Sequence, residues 1–74
     1  MRTLKILVVG CGSIGRRHAK NAYSLGAEIS LCDSNEGRMS SLAKDVNAKV
    51  CFSSYEEAAL ISDADAVVIS TPSN

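Results

Sequence analysis

Three glycines, Gly10, Gly12 and Gly15, stand within the six residues GCGSIG, between the run LKILVV and the segment RRHAKNAYSLG. Glycine carries no side chain, so the backbone there can turn tightly and approach a ligand closely. The chemistry open to such a loop is anion binding. Free N–H groups at the start of a helix, reinforced by the positive end of its dipole, meet a phosphate. In the pattern G-x-G-x-x-G each glycine has a task. Gly10 permits the turn out of a strand, Gly12 leaves room for a pyrophosphate, and Gly15 lets the following helix pack close to the sheet. Ser13 and Ile14 lie between them, at the start of that helix. Asp33 follows Gly15 by 18 residues, near the offset of about 20 for the carboxylate that bonds an adenosine ribose through its 2′- and 3′-hydroxyls. A 2′-phosphate would meet like charge there, so the expected cofactor is NAD rather than NADP. Two plainer readings stand beside these. One is a glycine-rich turn that holds nothing. The other is an Asp33 that only starts the next turn, where aspartate is common. The occurrence of the loop and Asp33 together favours the ligand.

Other residues with chemical capacity read more quietly. Arg38 could stack on the adenine, help bind a 2′-phosphate, or point into solvent, and the last is the plainest. His18, the one histidine, falls by helical spacing one turn below Ile14 on the inward face, where bonding to a carbonyl or a neighbour outweighs catalysis. Cys11 lies between two glycines near the phosphate path, but no base lies nearby in sequence to activate it. Tyr23 and Tyr55 read as packing residues. No catalytic residue is assigned.

These residues need elements to position them. Leu4 to Val9 is rich in branched apolar residues, as in a strand buried on both faces of a parallel sheet. Ser13 to Leu25 reads as a helix, with Arg16, Arg17, Lys20, Asn21 and Ser24 on one face and Ile14, His18, Ala19, Ala22 and Leu25 on the other. Gly26 stands where a helix-ending glycine belongs. Glu28 to Cys32 is a second strand. Met39, Leu42, Ala43 and Val46 form the apolar stripe of a helix from about Asn35 to Val46. Lys49 to Phe52 is a short strand. Ser54 and Glu57 form a capping box that opens a helix through about Ile61. Ala66 to Ser70 is a final strand, closed by Thr71-Pro72. Strands separated by helices pair in parallel through crossovers. The expectation is an α/β fold: half of a doubly wound unit, with about four strands in the order 3-2-1-4 and about three helices.

Composition agrees with a globular domain. Of the 74 residues, 46% are hydrophobic and 22% charged, and eight basic residues balance eight acidic ones. That balance gives no pull toward nucleic acid or an anionic membrane. Cys11, Cys32 and Cys51 have no paired spacing, which argues against a disulfide framework or a metal site and fits reduced cysteines in the cytoplasm. No apolar run approaches the roughly 20 residues that span a bilayer, and the first residues do not read as a signal peptide.

Three stretches, KILVVGCGSIGRRHAKNA, then Asp33 with Arg38, then ADAVVISTPSN, resemble the amino-terminal part of the glucose–fructose oxidoreductase and inositol dehydrogenase family, over essentially the whole chain. The resemblance implies a Rossmann dinucleotide-binding domain. It also implies that Ser70, Thr71 and Pro72, at a strand end, line the dinucleotide. Family members pass hydride between a nicotinamide cofactor and a sugar, a polyol or a related alcohol. Their Glu-Lys-Pro catalytic motif and substrate-binding sheet come later than these residues. The expectation for residues 1–74 is therefore a partial dinucleotide-binding domain that holds the adenosine–pyrophosphate half of NAD, inactive by itself, from a parent oxidoreductase. The alternative is a non-catalytic NAD-sensing module of the potassium-channel regulator type. An S-adenosylmethionine methyltransferase fits less well, since its loop usually lacks the third glycine. The apolar strand Ala66 to Ser70, if it forms an edge, is a template for self-association, and a symmetric dimer is the simplest result.

Overall fold

The computed structural model describes residues 3–70. Thr71 and Pro72, expected to line the cofactor, lie outside them. The elements alternate along the chain: β1 (Lys5–Val9), α1 (Ser13–Ser24), β2 (Glu28–Cys32), α2 (Glu36–Val46), β3 (Cys51–Phe52), α3 (Tyr55–Ile61) and β4 (Ala66–Ile69). The four strands form one parallel sheet in the order β3-β2-β1-β4, as the sequence predicts. Lys5 pairs with Glu28 of β2, and Ile6 pairs with Ala66 of β4.

Strand side chains alternate between the two faces, and each face has its own core. Val8, Ile29 and Leu31 meet Ala19 of α1 and Met39, Leu42 and Val46 of α2 on one face. Leu7, Val9, Cys32 and Phe52 meet Ala58 of α3 on the other. Burial on both faces explains why the central strand is apolar almost throughout. The outer strand is less covered, and Val67 and Ile69 remain exposed.

Helix α1 keeps only part of its expected inward face. Its buried residues are Gly15 and Ala19, with Ala22 partly buried behind them. Ile14 and Leu25 are 60% and 87% exposed, and His18 is exposed as well. Gly15, Ala19 and Ala22 thus face inward as expected, whereas Ile14, His18 and Leu25, expected beside them, do not. Close approach is the cause. A helix whose glycine faces a loop carbonyl leaves room for alanine one turn further on, but not for isoleucine or histidine. The helix ends as expected at Gly26, whose N–H donates to the Tyr23 carbonyl while that of Ala27 reaches Ala22. Tyr23 and Tyr55, expected to pack, are about half-exposed.

Candidate functional site

The carboxyl ends of β1, β2 and β4 and the start of α1 converge on the glycine loop. Gly10 has a φ of 94°, a backbone region that side-chain-bearing residues rarely adopt. Its N–H donates to the Cys32 carbonyl at 2.8 Å, which ties the loop to β2. Gly15 is held by close approach: a Cβ there would collide with the Gly10 carbonyl oxygen and the Ser70 hydroxyl. Around Gly12 the space is open, with nothing within 4 Å of where a Cβ would stand.

Helix α1 begins differently from the other two. Asn35 caps α2 and Ser54 caps α3, each accepting a main-chain N–H, and each of those helices has glutamate in its first turn. Gly12 occupies the cap position of α1 with no side-chain bond, and the first turn holds no acidic residue. The leading N–H groups of a helix have no intrahelical acceptor. Here they have the positive dipole end of the helix and neither a side-chain cap nor an acidic residue in the first turn.

Asp33 sits directly after β2 and is 8% exposed. Its Oδ2 accepts from the Cys11 N–H at 2.7 Å, and its Oδ1 from the Asn35 N–H at 2.9 Å. Arg38 completes the set, with Nε 3.2 Å from Oδ2 and a terminal nitrogen 3.3 Å from Oδ1. Burial works to raise the carboxyl pKa. The N–H groups of Asn35 and Cys11 and the Arg38 guanidinium outweigh it, so the carboxyl lies below its ordinary value. Asp33 is therefore an anion at neutral pH. Arg38 is half-exposed but engaged, which corrects the reading that it points into solvent.

The Cys11 side chain is buried in the α1–α2 core. Burial, followed by the Asp33 charge, pushes its thiol up to about 11. It stays protonated at neutral pH and serves the site through its main-chain N–H, not as a nucleophile. Ser70, just after β4, donates its N–H to the Val9 carbonyl at 2.9 Å. Its hydroxyl lies 3.0 Å from the Gly10 carbonyl oxygen and 3.2 Å from that of Val9. Ser13 and Ile14 stand exposed at the mouth of the loop.

A cleft of about 210 Å³ opens beside Asp33, lined by Gly10, Ser34, Ser53 and Tyr55 among others. Ser34, Ser53 and Tyr55 were not expected at the site. The signal for them is positional, since residues just past the carboxyl ends of parallel strands border the ligand crevice. A larger hollow of about 430 Å³, lined by Leu4, Ile6, Ala22 and Leu25 among others, lies at the opposite end of β1. It has neither the glycine loop nor a charged group, so the smaller cleft is the one tied to chemistry. Among the described residues no group of three His, Cys, Asp or Glu side chains could hold a metal ion.

The model of an oxidoreductase family with an NAD-binding Rossmann fold, GFO/IDH/MocA, matches residues 4–74. Solved structures match as well. Scyllo-inositol dehydrogenase from Lactobacillus casei, crystallised with NAD(H) and scyllo-inositol, is 27% identical with a TM-score of 0.87, over 97% of this chain and 22% of that one. The WlbA dehydrogenase from Chromobacterium violaceum, in complex with NADH and UDP-GlcNAcA, is 28% identical with a TM-score of 0.83, over 99% and 22%. Myo-inositol 2-dehydrogenase from Lactobacillus plantarum shares the fold at 19% identity, with a TM-score of 0.85. The chain spans 22% of the length of each of these structures.

Proposed function

The chain belongs to the GFO/IDH/MocA oxidoreductase family with its NAD-binding Rossmann fold, and from that premise we propose that it holds the adenosine–pyrophosphate half of NAD across the carboxyl ends of β1, β2 and β4. The observation that carries this reading is the pairing of an open, uncapped glycine loop at Gly12 with the buried, ionised Asp33 beside it. The N–H groups from Gly12 to Gly15 bind the pyrophosphate. The ribose hydroxyls donate to Asp33 and displace Arg38, whose two contacts are the longest of the four on that carboxylate. Arg38 then lies along the adenosine. Thr71 and Pro72 follow Ser70 along the dinucleotide.

Bound NAD supplies a hydride acceptor at its nicotinamide. The residues of the glycine loop and Asp33 bind and orient it; they do not move the hydride. For the parent protein we propose oxidation of a sugar, polyol or related alcohol, in line with the inositol and sugar-nucleotide ligands of the two more similar structures. No observation favours a nucleotide-sensing regulator. We place the protein in the cytoplasm, on its three unpaired cysteines. No helix among the described residues is long and apolar enough to cross a membrane. We also propose that the 74-residue chain self-associates through β4.

Titration of the chain with NAD and with NADP, followed by amide shifts, tests the assignment. NAD shifts the Gly12 to Gly15 amides at lower concentration than NADP, and Asp33→Ala narrows the difference. Tighter binding of NADP, or still amides with both, would overturn it.

A further inference from the structure

One peptide group in the loop is held from both edges. The carbonyl of Gly10 accepts from the Ser70 hydroxyl at 3.0 Å, and the N–H on the other side of the same peptide, that of Cys11, donates to Asp33 at 2.7 Å. A trans peptide is planar, with C=O and N–H pointing in opposite directions, so fixing one edge aims the other. We infer that Ser70 is a positioning residue: it clamps the Gly10–Cys11 peptide and through it aims the Asp33 carboxylate. This rests on the reading of Asp33 as the ribose ligand.

Gly10 is the residue at which such a peptide would otherwise rotate, because glycine populates both signs of φ readily. The β1–β4 register sets Ser70 opposite it: Val9 pairs with Ile69, and the next residue on each strand meets across the gap. The hydroxyl carries a single proton, shared between the Val9 and Gly10 carbonyls. Gly15 closes the remaining side, since a Cβ built there lies 2.6 Å from the hydroxyl oxygen. Removing that oxygen takes away the side-chain donor that both carbonyls share. On the far edge, Asp33 has two main-chain donors among the described residues, the N–H groups of Cys11 and Asn35. They set the plane of the carboxylate, while Arg38 is a side chain that can leave. Turning the peptide would strip one of the two. The orientation of a residue after β2 is in this way fixed by a side chain after β4.

The experiment is NMR on the whole chain, first without nucleotide. In Ser70→Ala the Cys11 amide proton moves upfield as its short bond lengthens, and the Asp33 carboxyl pKa rises. NAD affinity then falls roughly three- to ten-fold, the worth of about one hydrogen bond. Val68→Ala loosens β4 but keeps the hydroxyl, so it lowers stability and leaves Cys11 and Asp33 unmoved. Ser70→Cys, nearly the same shape with a weaker donor, gives smaller shifts in the same direction and serves if the alanine variant does not fold. Unchanged Cys11 and Asp33 signals in a folded Ser70 variant overturn the inference. So does Val68→Ala if it reproduces the changes. A wild-type chain that binds no NAD overturns the proposed function instead, while the nucleotide-free signals still decide the clamp.

Discussion

Gly12 and Gly15 stand three residues apart and answer to different demands. Gly12 has an ordinary extended backbone, with φ −72° and ψ −169°, and open space where a side chain would go. Gly15 has a carbonyl and a hydroxyl in that space. Gly12→Ala is therefore expected to fold with unchanged urea stability and to lose NAD binding, because its methyl occupies the pyrophosphate's approach. Gly15→Ala is expected to lose about 1–3 kcal/mol, the usual cost of overpacking, whether or not nucleotide is present. Urea melts of both chains separate the two, and a Gly15→Ala chain as stable as the wild type would remove its packing role. The spacing of the glycines and Asp33 was legible because each residue type is itself the signal. The Arg38–Asp33 contact was not. It spans five residues across a helix start, outside the i,i+3 and i,i+4 spacings at which helical neighbours meet. The burial of the Cys11 thiol was equally hidden, since a residue between two loop glycines can face either way.

Helix α2 was legible as an element, and α1 only half so. In α2 the large apolar residues Met39, Leu42 and Val46 are the ones that are buried, so the stripe in the sequence is the stripe in the fold. In α1 the small residues Gly15, Ala19 and Ala22 are buried as expected, while Ile14 and Leu25, expected beside them, carry their hydrophobicity outward. The fit to the sheet is decided by closeness, which periodicity does not report. The start of α2 also bears on the site. The Asn35 side chain accepts from the Arg38 N–H at 2.9 Å, and the main-chain N–H of Asn35 donates to Asp33. Asn35→Ala is expected to cost about 1 kcal/mol, a fall in Tm of roughly 4–8 °C for a domain of this size. Asn35→Asp restores most of it. A thermal melt that shows no difference between Asn35→Ala and the wild type would mean that the cap does not hold the helix.

At the scale of the molecule the strand order 3-2-1-4 was readable from the alternation of elements alone, because parallel neighbours require crossovers of one hand. Its exposed consequence is β4. Among the described residues no strand pairs with its outer edge, and Val67 and Ile69 are 49% and 63% exposed. With zero net charge and no lysine or proline in the strand, little discourages another chain from pairing there. Light scattering of the 74-residue chain at tens of micromolar is expected to give the mass of a dimer, and Val67→Lys that of a monomer. A monomeric wild type whose Val67 and Ile69 amides exchange freely with solvent would refute the pairing. The same strand also sets an order of events. β1 finds β2 across 23 residues, Lys5 with Glu28, but finds β4 across 60, Ile6 with Ala66. The longer closure costs more chain entropy, so the β1–β4 pairing is expected to form later. Ser70 arrives with it. A chain that has formed β1, α1 and β2 already has its glycine loop and its Asp33, but the peptide between them is not yet aimed. On that order the site is completed only when β4 pairs, and a nucleotide that binds only the completed state draws the folding equilibrium toward it.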